Sequence, residues 1–231
     1  MPILGILEAM TSTPLANLTP AQQLRAGRLT YRVAQLLLGL ALYGVSMGFM
    51  IRSMLGQMPW DVLHFGLAQN ATLTIGQVII AVSGLVLVLW IPLRQMPGLG
   101  TILNAILVGL GTDLMLGLLS TPDGLAARIG FMSLGIFLNA VATSLYLGAQ
   151  LGPGPRDGLM TGLSRRTGLS LRLVRTTLEV TVVVIGWLLG GVFGVGTVLY
   201  ALLIGPLTQQ FLPWVTVPLN VRETREPLTQ H

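Results

Sequence analysis

Six long apolar segments constrain the fold of this chain more than any other feature. They lie at about 33–51, 75–93, 98–118, 129–150, 173–190 and 195–213. Each approaches the ~20 residues that an α-helix needs to cross a hydrocarbon core of ~30 Å. Only 9% of the 231 residues are charged, whereas a soluble domain carries roughly a quarter. We therefore predict an all-α, polytopic helical membrane protein with about six spans.

Two further segments, at about 59–71 and 155–168, have helical spacing but are too short and too polar to cross. The second contains Arg165 and Arg166 soon after Pro155. Because each unpaired backbone group in lipid costs several kcal/mol, such segments must be buried in protein, line a cavity or lie at the interface. We predict that they form two short broken or re-entrant helices.

The two halves of the chain repeat one another with a shift of 96 residues. The stretch LGQMPWDVLH at 55–64 falls on LGPGPRDGLM at 151–160, and GLGTILNAILVG at 98–109 falls on GVGTVLYALLIG at 194–205. Membrane segments can share Leu and Val by composition alone, whereas shared Gly, Pro, Asp and Thr in one register indicate a duplication. The matched pairs in the two breaks are Gly56 with Gly152, Pro59 with Pro155, and Asp61 with Asp157.

The repeat also sets the predicted domain boundaries. A first membrane repeat at 29–118 and a second at 129–213 are joined by a connecting loop at 119–128. A flexible N-terminal leader is predicted for 1–28 and a polar C-terminal tail for 214–231.

If the short helices do not cross, each half has three spans and the second half must be inserted upside down. With the N-terminus in the cytoplasm, most arginines then lie inside, as the positive-inside rule requires, and only Arg52 and Arg128 lie outside. If the short helices do cross, the halves are parallel and the arginines are nearly evenly divided. Because two arginines interrupt 155–168, we favour a 3+3 inverted internal repeat.

The repeated pattern G-x-x-P-x-D indicates a loop that leads into a helix. Proline suits the first helical turn, and an aspartate there can accept a backbone N–H and complement the helix dipole. One interpretation therefore makes Asp61 and Asp157 capping residues near the membrane surface. The other places them at a cavity where two broken helices meet, because a carboxylate in the hydrocarbon region costs ~2.5–3.5 kcal/mol and usually marks a pathway.

Other residues near the breaks complete the candidate binding site. The residues expected to shape its backbone are Gly56, Pro59, Gly152, Gly154 and Pro155. Arg156 is a candidate for holding an anionic group, although its counterpart Trp60 breaks the symmetry. His64 follows Asp61 by one helical turn and is either its satisfied polar partner or a member of a proton relay.

Polar residues inside the spans give further candidates. Asn104 and Asp113 lie in the third span. Asp113 either faces headgroups at a span end or acts as a single titrating acid. Arg175 and Glu179 are spaced i,i+4 and are predicted to pair, which neutralises two costly charges.

The sequence excludes several classes of function. The chain has no cysteine, which excludes disulfides, thiolate metal sites and cysteine nucleophiles. It lacks a catalytic triad, paired catalytic carboxylates and a phosphate-binding loop, so we expect no enzyme, no cofactor and no metal site. The net charge of +5 does not indicate nucleic-acid binding, because no patch of interleaved basic and aromatic residues accompanies it.

These features resemble the bacterial YczE-like integral membrane proteins, which are related to the YitT-like family. The resemblance rests on the GxxPxDxL breaks at 56–63 and 152–159, on the GLGT and GVGT span starts, and on the overall size, and it covers roughly 30–213. It implies a bacterial cytoplasmic-membrane protein, which our topology orients with both termini inside. It implies little about mechanism beyond a loose association of the family with secondary-metabolite production and regulation.

Two functions from different classes fit these observations. We expect a secondary transporter or facilitator of a small polar or anionic solute, with its site between the two breaks. Its partners would be the lipid bilayer, the solute and a coupling ion, H+ or Na+, and the sequence leaves a homodimer open. The rival is a non-transporting membrane scaffold or regulator that docks a cytoplasmic partner through the arginine-rich face at 156–175. A polar cavity between the repeats discriminates the two, because a scaffold has no need of one.

Overall fold

The protein is helical throughout the part of the chain that the structure, a computed structural model, describes, which is residues 18–219. Five of the helices are long and apolar enough to cross a membrane, namely the second, fourth, fifth, sixth and ninth. The helices are α1 (Pro20–Arg25), α2 (Leu29–Ser53), α3 (Pro59–Gln69), α4 (Ile75–Leu93), α5 (Leu99–Leu118), α6 (Leu125–Gly148), α7 (Pro155–Thr167), α8 (Leu171–Leu188) and α9 (Val195–Val215). The predicted all-α polytopic membrane protein is confirmed.

The predicted sixth crossing segment differs from the other five in composition. Helix α8 has 18 residues, enough for ~27 Å of helix at ~1.5 Å per residue. It carries Arg172, Arg175 and Glu179, and it is not among the helices whose length and composition alone suit a membrane. Length and composition therefore assign five crossing helices rather than about six.

The predicted boundaries are close to the observed ones, with three differences. Helix α6 begins at Leu125, inside the predicted connecting loop, and α9 ends at Val215, two residues into the predicted tail. Helix α1 lies inside the predicted leader, where Thr19 and Gln22 form a capping box around Pro20. Residues 1–17 of the leader and 220–231 of the tail lie outside the described residues.

The helix boundaries repeat with the same spacing as the sequence. Helices α2 to α5 begin at residues 29, 59, 75 and 99, and α6 to α9 begin 96 residues later, at 125, 155, 171 and 195. The shared start signals are physical ones, because proline opens α3 and α7 and suits the first turn, where no N–H partner is needed.

The two equivalent helices α2 and α6 pack against each other in antiparallel orientation. Near the start of α2, the Arg32 Nε donates to the Ala149 carbonyl just after α6, at 2.8 Å. In the middle, the Asn139 amide donates to the Ser46 hydroxyl at 2.8 Å. Near the end of α2, the Phe49 ring contacts Phe131 with centroids 4.9 Å apart. We call the end of the bundle where α2 begins the first end, and the end where α2 finishes the second end.

Two hydrogen bonds locate the outer long helices relative to these ends. The Gly76 N–H at the start of α4 donates to Asp113 near the finish of α5, at 2.8 Å. The Gln35 amide near the start of α2 donates to the Val215 carbonyl at 2.8 Å, so α9 finishes at the first end.

Each short helix stays at one end of the bundle. After α3, the Asn70 amide donates to the Leu189 carbonyl at 2.8 Å, beside the finish of α8 at the second end. Helix α7 packs beside the finish of α4 at the first end, where Trp90 Nε1 donates to the Pro155 carbonyl at 3.0 Å. Arg166 then donates to the Pro92 carbonyl at 2.7 Å. Neither short helix runs from one end of the bundle to the other.

Candidate functional site

Each break is anchored on the GxGT span start of the opposite half. The Gly196 N–H donates to the Leu55 carbonyl at 2.8 Å, and its repeat equivalent Gly100 donates to Leu151 at 2.7 Å. The break glycines Gly56 and Gly152 have φ angles of +127° and +115°, which side-chain-bearing residues rarely adopt. A Cβ on Gly56 would also lie 2.7 Å from the backbone N of Thr197. The break and the GxGT start keep the same spacing in both halves because each break contacts the span start of the opposite half at this short backbone distance.

The starts of the two short helices line a partly open cavity of about 230 Å³, which we call the central cavity. Met58, Pro59 and Trp60 line it from the start of α3, and Gly154, Arg156 and Asp157 line it from the start of α7. The long helices contribute the remaining polar wall, formed by Tyr43, Asn104, Thr143, Tyr146, Arg175, Glu179, Tyr200, Thr208 and Gln209. Both short helices thus direct their N-terminal ends, which carry partial positive charge, at one shared space.

Arg156 is the cation that the breaks bring into this cavity. Its Nη2 donates to the Tyr43 hydroxyl at 2.9 Å, and its guanidinium lies 5.8 Å from the Tyr43 ring centre and 5.7 Å from that of Trp60. No carboxylate of the described residues lies within 4.0 Å of it. Burial lowers the pKa of Arg156, but the nearby Tyr43, Asp61, Tyr200 and Asp157 outweigh that effect and raise it overall. The side chain therefore presents a fixed positive charge to the cavity.

Asp157 lines the cavity beside Arg156 and is bonded to a neighbouring helix. The Tyr146 hydroxyl of α6 donates to its Oδ2 at 2.5 Å. No backbone N–H of the described residues donates to either Asp157 or Asp61, and neither α3 nor α7 has a side-chain cap. The capping hydrogen bonds are therefore not observed, although both aspartates lie in the first turn of their helices, where a negative charge complements the helix dipole.

Asp61 and His64 form a buried pair next to the cavity. The Asp61 Oδ1 and His64 Nδ1 atoms are 3.2 Å apart, and the two residues are 0% and 2% exposed. The other carboxylate oxygen of Asp61 has no hydrogen-bond partner among the described residues. Burial lowers the pKa of His64, against the raising effect of Asp61. The predicted contact between the two side chains is confirmed. The pair is not fully hydrogen-bonded, because one oxygen of Asp61 lacks a partner among the described residues.

Asp113 is far from the two breaks and acts as a cap. Its Oδ1 accepts from the Gly76 N–H at 2.8 Å and its Oδ2 from the Thr74 hydroxyl at 2.5 Å, both at the start of α4. The side chain therefore lies near the finish of its span, as one interpretation placed it, and stabilises the start of α4. A polar residue near a span finish gives no sequence signal for such a tertiary cap.

The structure divides the remaining candidates between the cavity wall and its supports. Pro59, Gly154 and Asn104 line the cavity. Gly152 instead lines a second cavity of about 700 Å³ at the first end, together with Arg94 and Arg165. Gly56 belongs to the docking contact with Thr197, and Pro155 accepts the Trp90 hydrogen bond.

Three tyrosines and one ion pair join the site from distant helices. Arg175 Nε and Glu179 Oε1 are 2.8 Å apart, so their predicted pairing is confirmed, and both line the cavity. No sequence pattern indicated a role for Tyr43, Tyr146 or Tyr200. A single tyrosine in an apolar span has no distinguishing pattern, since its role depends on which helices pack together.

The two halves of the molecule are packed differently around the cavity. Helices α4 and α5 touch through glycines, because a Cβ on Gly76 would lie 2.2 Å from the Gly109 carbonyl. Their equivalents in the second half are Arg172 and Gly205, and a Cβ on Gly205 would meet no heavy atom within 4 Å. The wall formed by α8 and α9 is therefore looser than the wall formed by α4 and α5.

Comparisons with known proteins place the chain among membrane proteins. An uncharacterized protein of Haemophilus influenzae is 42% identical over 180 residues, covering 78% of this chain and 83% of that protein. The uncharacterized membrane protein YczE of Bacillus subtilis is 34% identical over 172 residues, covering 74% and 80%. The B. subtilis protein YyaS is 29% identical over 185 residues, covering 77% and 90%. No solved structure matches the chain.

The relationship to YczE confirms the resemblance that the two breaks and the GxGT starts indicate. The model of the family of unknown function DUF6198 matches residues 30–213, which include every helix from α2 to α8 and nearly all of α9. The chain is a multi-pass membrane protein that belongs to the family of unknown function DUF6198.

Proposed function

We propose that the protein is a secondary transporter or facilitator, rather than an enzyme, and that it carries a small anionic or polar solute through the central cavity. The observation that carries this proposal is the guanidinium of Arg156, which faces the cavity without a carboxylate within ion-pair distance among the described residues. A charge that has no direct ion-pair partner inside a membrane protein is costly and usually marks a pathway. A bound anion supplies the missing partner.

The starts of α3 and α7 favour the same class of solute. Helix N-termini bind anions through unpaired N–H groups and the helix dipole, and half-helix N-termini bind anionic groups in inverted-repeat transporters. The cavity volume of about 230 Å³ suits a small molecule rather than a lipid. Its wall also contains Asp157 and the Arg175–Glu179 pair, which would contact polar groups of the solute away from its anionic end.

We further propose that the two halves are inserted in opposite orientations in a bacterial cytoplasmic membrane, with α8 as the sixth crossing helix. The antiparallel packing of α2 and α6 and the placement of α3 and α7 at opposite ends of the bundle support this arrangement. Arg28, Arg94 and Arg165 lie at the first end and Arg52 at the second, so the positive-inside rule makes the first end cytoplasmic.

The looser packing of α8 and α9 supports alternating access. Rocking of one repeat against the other exposes a central site to each side in turn, and such a cycle requires states in which the two halves are packed differently. The cavity of about 700 Å³ lined by Arg94, Gln95 and Arg165 lies at the first end. The described conformation would then be the one that opens toward the cytoplasm.

Uptake of radiolabelled anions into proteoliposomes tests this function, because it detects transport whether or not net charge moves. Small carboxylates, inorganic phosphate and sulfate are supplied in turn, and the accumulated label is counted. We expect at least one anion to give a saturable signal that is lost in Arg156→Gln and kept in Arg172→Gln, whose exposed arginine provides the matched control. Signals of equal size in wild type and Arg156→Gln would contradict the proposed site.

The second candidate, a membrane scaffold, is favoured by the exposure of Arg165, Arg166 and Arg172 at the first end. A docked cytoplasmic partner would be lost from the Arg165→Ala, Arg166→Ala double variant in a pull-down from detergent extracts. The same variant keeps solute uptake if transport is the function, because neither side chain lines the central cavity.

A further inference from the structure

We propose that the Asp61–His64 pair is a proton-binding site coupled electrostatically to Arg156, so that the protein carries its anionic solute together with a proton. This inference rests on the proposed transport function and selects H+ as the coupling ion. It starts from buried polar atoms beside the cavity that have no hydrogen-bond partner among the described residues. The equivalent segment of the second half contains no such side-chain atom.

The first break holds three buried polar atoms that have no hydrogen-bond partner within residues 18–219. They are Gln57 Nε2, Trp60 Nε1 and Asp61 Oδ2, whereas no side-chain atom of the equivalent residues 153–157 is in that state. Buried polar groups are almost always bonded, so each exception needs an explanation. Asp61 is fully buried and its only partner among the described residues is His64, while its repeat equivalent Asp157 accepts from Tyr146.

A carboxylate with one titratable donor is suited to exchange a proton. Asp61 stabilises the protonated imidazole of His64 across the 3.2 Å contact, because the pair then has no net charge in a buried site. When the proton leaves, the pair carries one negative charge. The neutral imidazole of His64 is then the one hydrogen-bonding partner of the Asp61 carboxylate among the described residues. The pair therefore has two states of different charge, and neighbouring charges decide between them.

Arg156 is the neighbouring charge that faces the pair. The His64 and Trp60 ring centres are 6.5 Å apart, and the guanidinium lies 5.7 Å beyond on the Trp60 ring, which places it within roughly 12 Å of the imidazole. At an effective dielectric constant of about 20, two unit charges at this distance change a proton affinity roughly tenfold. Arg156 thus opposes protonation of His64.

The helices that pack against α3 add no net charge beside the Asp61–His64 pair. Helix α4 carries no titratable side chain between Ile75 and Leu93, and the part of α8 around Gly186 that packs on α3 carries none either. The Arg175–Glu179 pair is neutral as a unit. The remaining titratable groups near Arg156 are Asp157 on α7, Tyr43 on α2, Tyr146 on α6 and Tyr200 on α9.

Proton and anion binding are consequently cooperative. An anion bound at Arg156 neutralises the charge that disfavours the protonated imidazole, so solute binding raises the proton affinity of the pair. By linkage, protonation raises the affinity for the anion by the same factor. A carrier with this coupling moves one proton with each anion and is driven by the proton gradient.

Histidine NMR tests the coupling without any knowledge of the solute. The only other histidine is His231, so ¹⁵N-histidine labelling of a His231→Gln background gives one imidazole, that of His64. Its signals are followed across pH in Arg156→Gln, in Arg156→Lys as the charge-conserving control, and in Asp61→Asn. We expect a wild-type midpoint below the ordinary value of about 6.5, because burial lowers it.

The variants should move this midpoint in opposite directions. Arg156→Gln mimics neutralisation by an anion and should raise the midpoint by about one pH unit, a tenfold gain in proton affinity, while Arg156→Lys stays near wild type. Asp61→Asn keeps the shape of the side chain and should lower the midpoint. A midpoint that is unchanged in both Arg156→Gln and Asp61→Asn would overturn the proton site. That result leaves anion uptake into proteoliposomes untouched, so failure of the proton site is distinguishable from failure of the transport function.

Discussion

At the scale of single residues, the Tyr146 hydroxyl and the Asp157 carboxylate show how the cavity wall is held. The 2.5 Å hydrogen bond joins α6 to the start of α7 and gives a carboxylate next to Arg156 a fixed donor. Hydrogen bonds to charged groups contribute about 1.5–3 kcal/mol, more than those between neutral groups. This contact therefore orients Asp157 as well as stabilising the fold.

Tyr146→Phe should lower the thermal midpoint of the purified protein, because it removes the donor and leaves an oxygen of the half-buried Asp157 carboxylate short of a partner. We expect a loss of about 1.5–3 kcal/mol. Tyr31→Phe is the matched control, since Tyr31 is 62% exposed, and its midpoint should stay at the wild-type value. In a double-mutant cycle with Asp157→Asn the two losses should be strongly non-additive; additive losses would show that the contact does not form.

Residue chemistry explains which site members the sequence could predict. Asp61, Asp157 and Arg156 stand out because charged residues are rare in an apolar chain and therefore visible without a structure. The orphaned oxygen of Asp61 and the tyrosines around Arg156 could not be predicted, since both depend on which helices are neighbours. The capping contact of Asp113 could not be predicted for the same reason, because its target Gly76 lies on another helix.

At the scale of helices, backbone-to-backbone contact fixes α3 against α8. A Cβ on Gly186 would lie 2.4 Å from the Leu63 N and the Val62 carbonyl carbon, and one on Gly66 would lie 2.4 Å from the Gly186 carbonyl. Small residues allow such close approach between helices in membranes. The glycines thus hold the second end of the bundle closed around the first break.

Gly186→Ala should destabilise the protein by about 1–3 kcal/mol, the usual cost of overpacking, because backbone atoms cannot move aside as a flexible side chain can. The comparison is Gly84→Ala, on α4, where a Cβ meets nothing within 4 Å and the higher helix propensity of alanine favours the folded state by up to ~1 kcal/mol. Thermal unfolding in detergent measures both. Equal midpoints for the two variants would mean that α3 and α8 are not packed this closely.

Arg32, near the start of α2, forms hydrogen bonds with α1 and with the residues just before the second break. The fully buried side chain donates to the carbonyls of Gln23, Ala149 and Gln150. Its repeat equivalent Arg128 is half-buried and donates to the Pro122 carbonyl alone. The hydrogen bonds that join several segments are therefore made by Arg32 at the first end and not by Arg128 at the second.

Arg32→Ala should consequently cost far more than Arg128→Ala. It removes the donor from four carbonyls, those three and that of Gly27, at about 1–3 kcal/mol for each group that stays buried and unsatisfied. Hydrogen exchange should accelerate in residues 18–28 of Arg32→Ala and remain slow in Arg128→Ala. Similar exchange in the two variants would show that the arginine does not hold this segment.

Helix starts were the most predictable feature at this scale. Proline at the openings of α3 and α7 and the capping box at Thr74 are local signals that require no knowledge of the fold. The start of α6 at Leu125 was missed because Gly124 provides no side-chain cap. Helix α1 was missed because it is short and Arg32, outside its own sequence, holds it in place.

At the scale of the whole molecule, the inverted arrangement of the repeats in the membrane remains a prediction. Arginine positions alone could not decide it, because parallel halves give a nearly equal division of charge. The antiparallel contacts of α2 and α6 now support it, and so does the finding that α3 and α7 each enter and leave at one end of the bundle. Sequence patterns define segments, whereas relative direction requires contacts between them.

Single-cysteine labelling of whole cells tests the inverted repeat most directly, because the chain has no cysteine of its own. Ala71 and Thr167 are equivalent positions 96 residues apart, both exposed and each just beyond or at the finish of a short helix. Asp123 at the second end and Met96 at the first end are matched loop positions for the same treatment. A membrane-impermeant maleimide is applied before and after lysis.

The inverted arrangement predicts that Ala71→Cys and Asp123→Cys react in intact cells, while Thr167→Cys and Met96→Cys react only after lysis. Labelling of Ala71→Cys and Thr167→Cys from the same side would contradict it, since the halves would then be parallel. The central cavity could in that case not be a site shared by two oppositely oriented breaks.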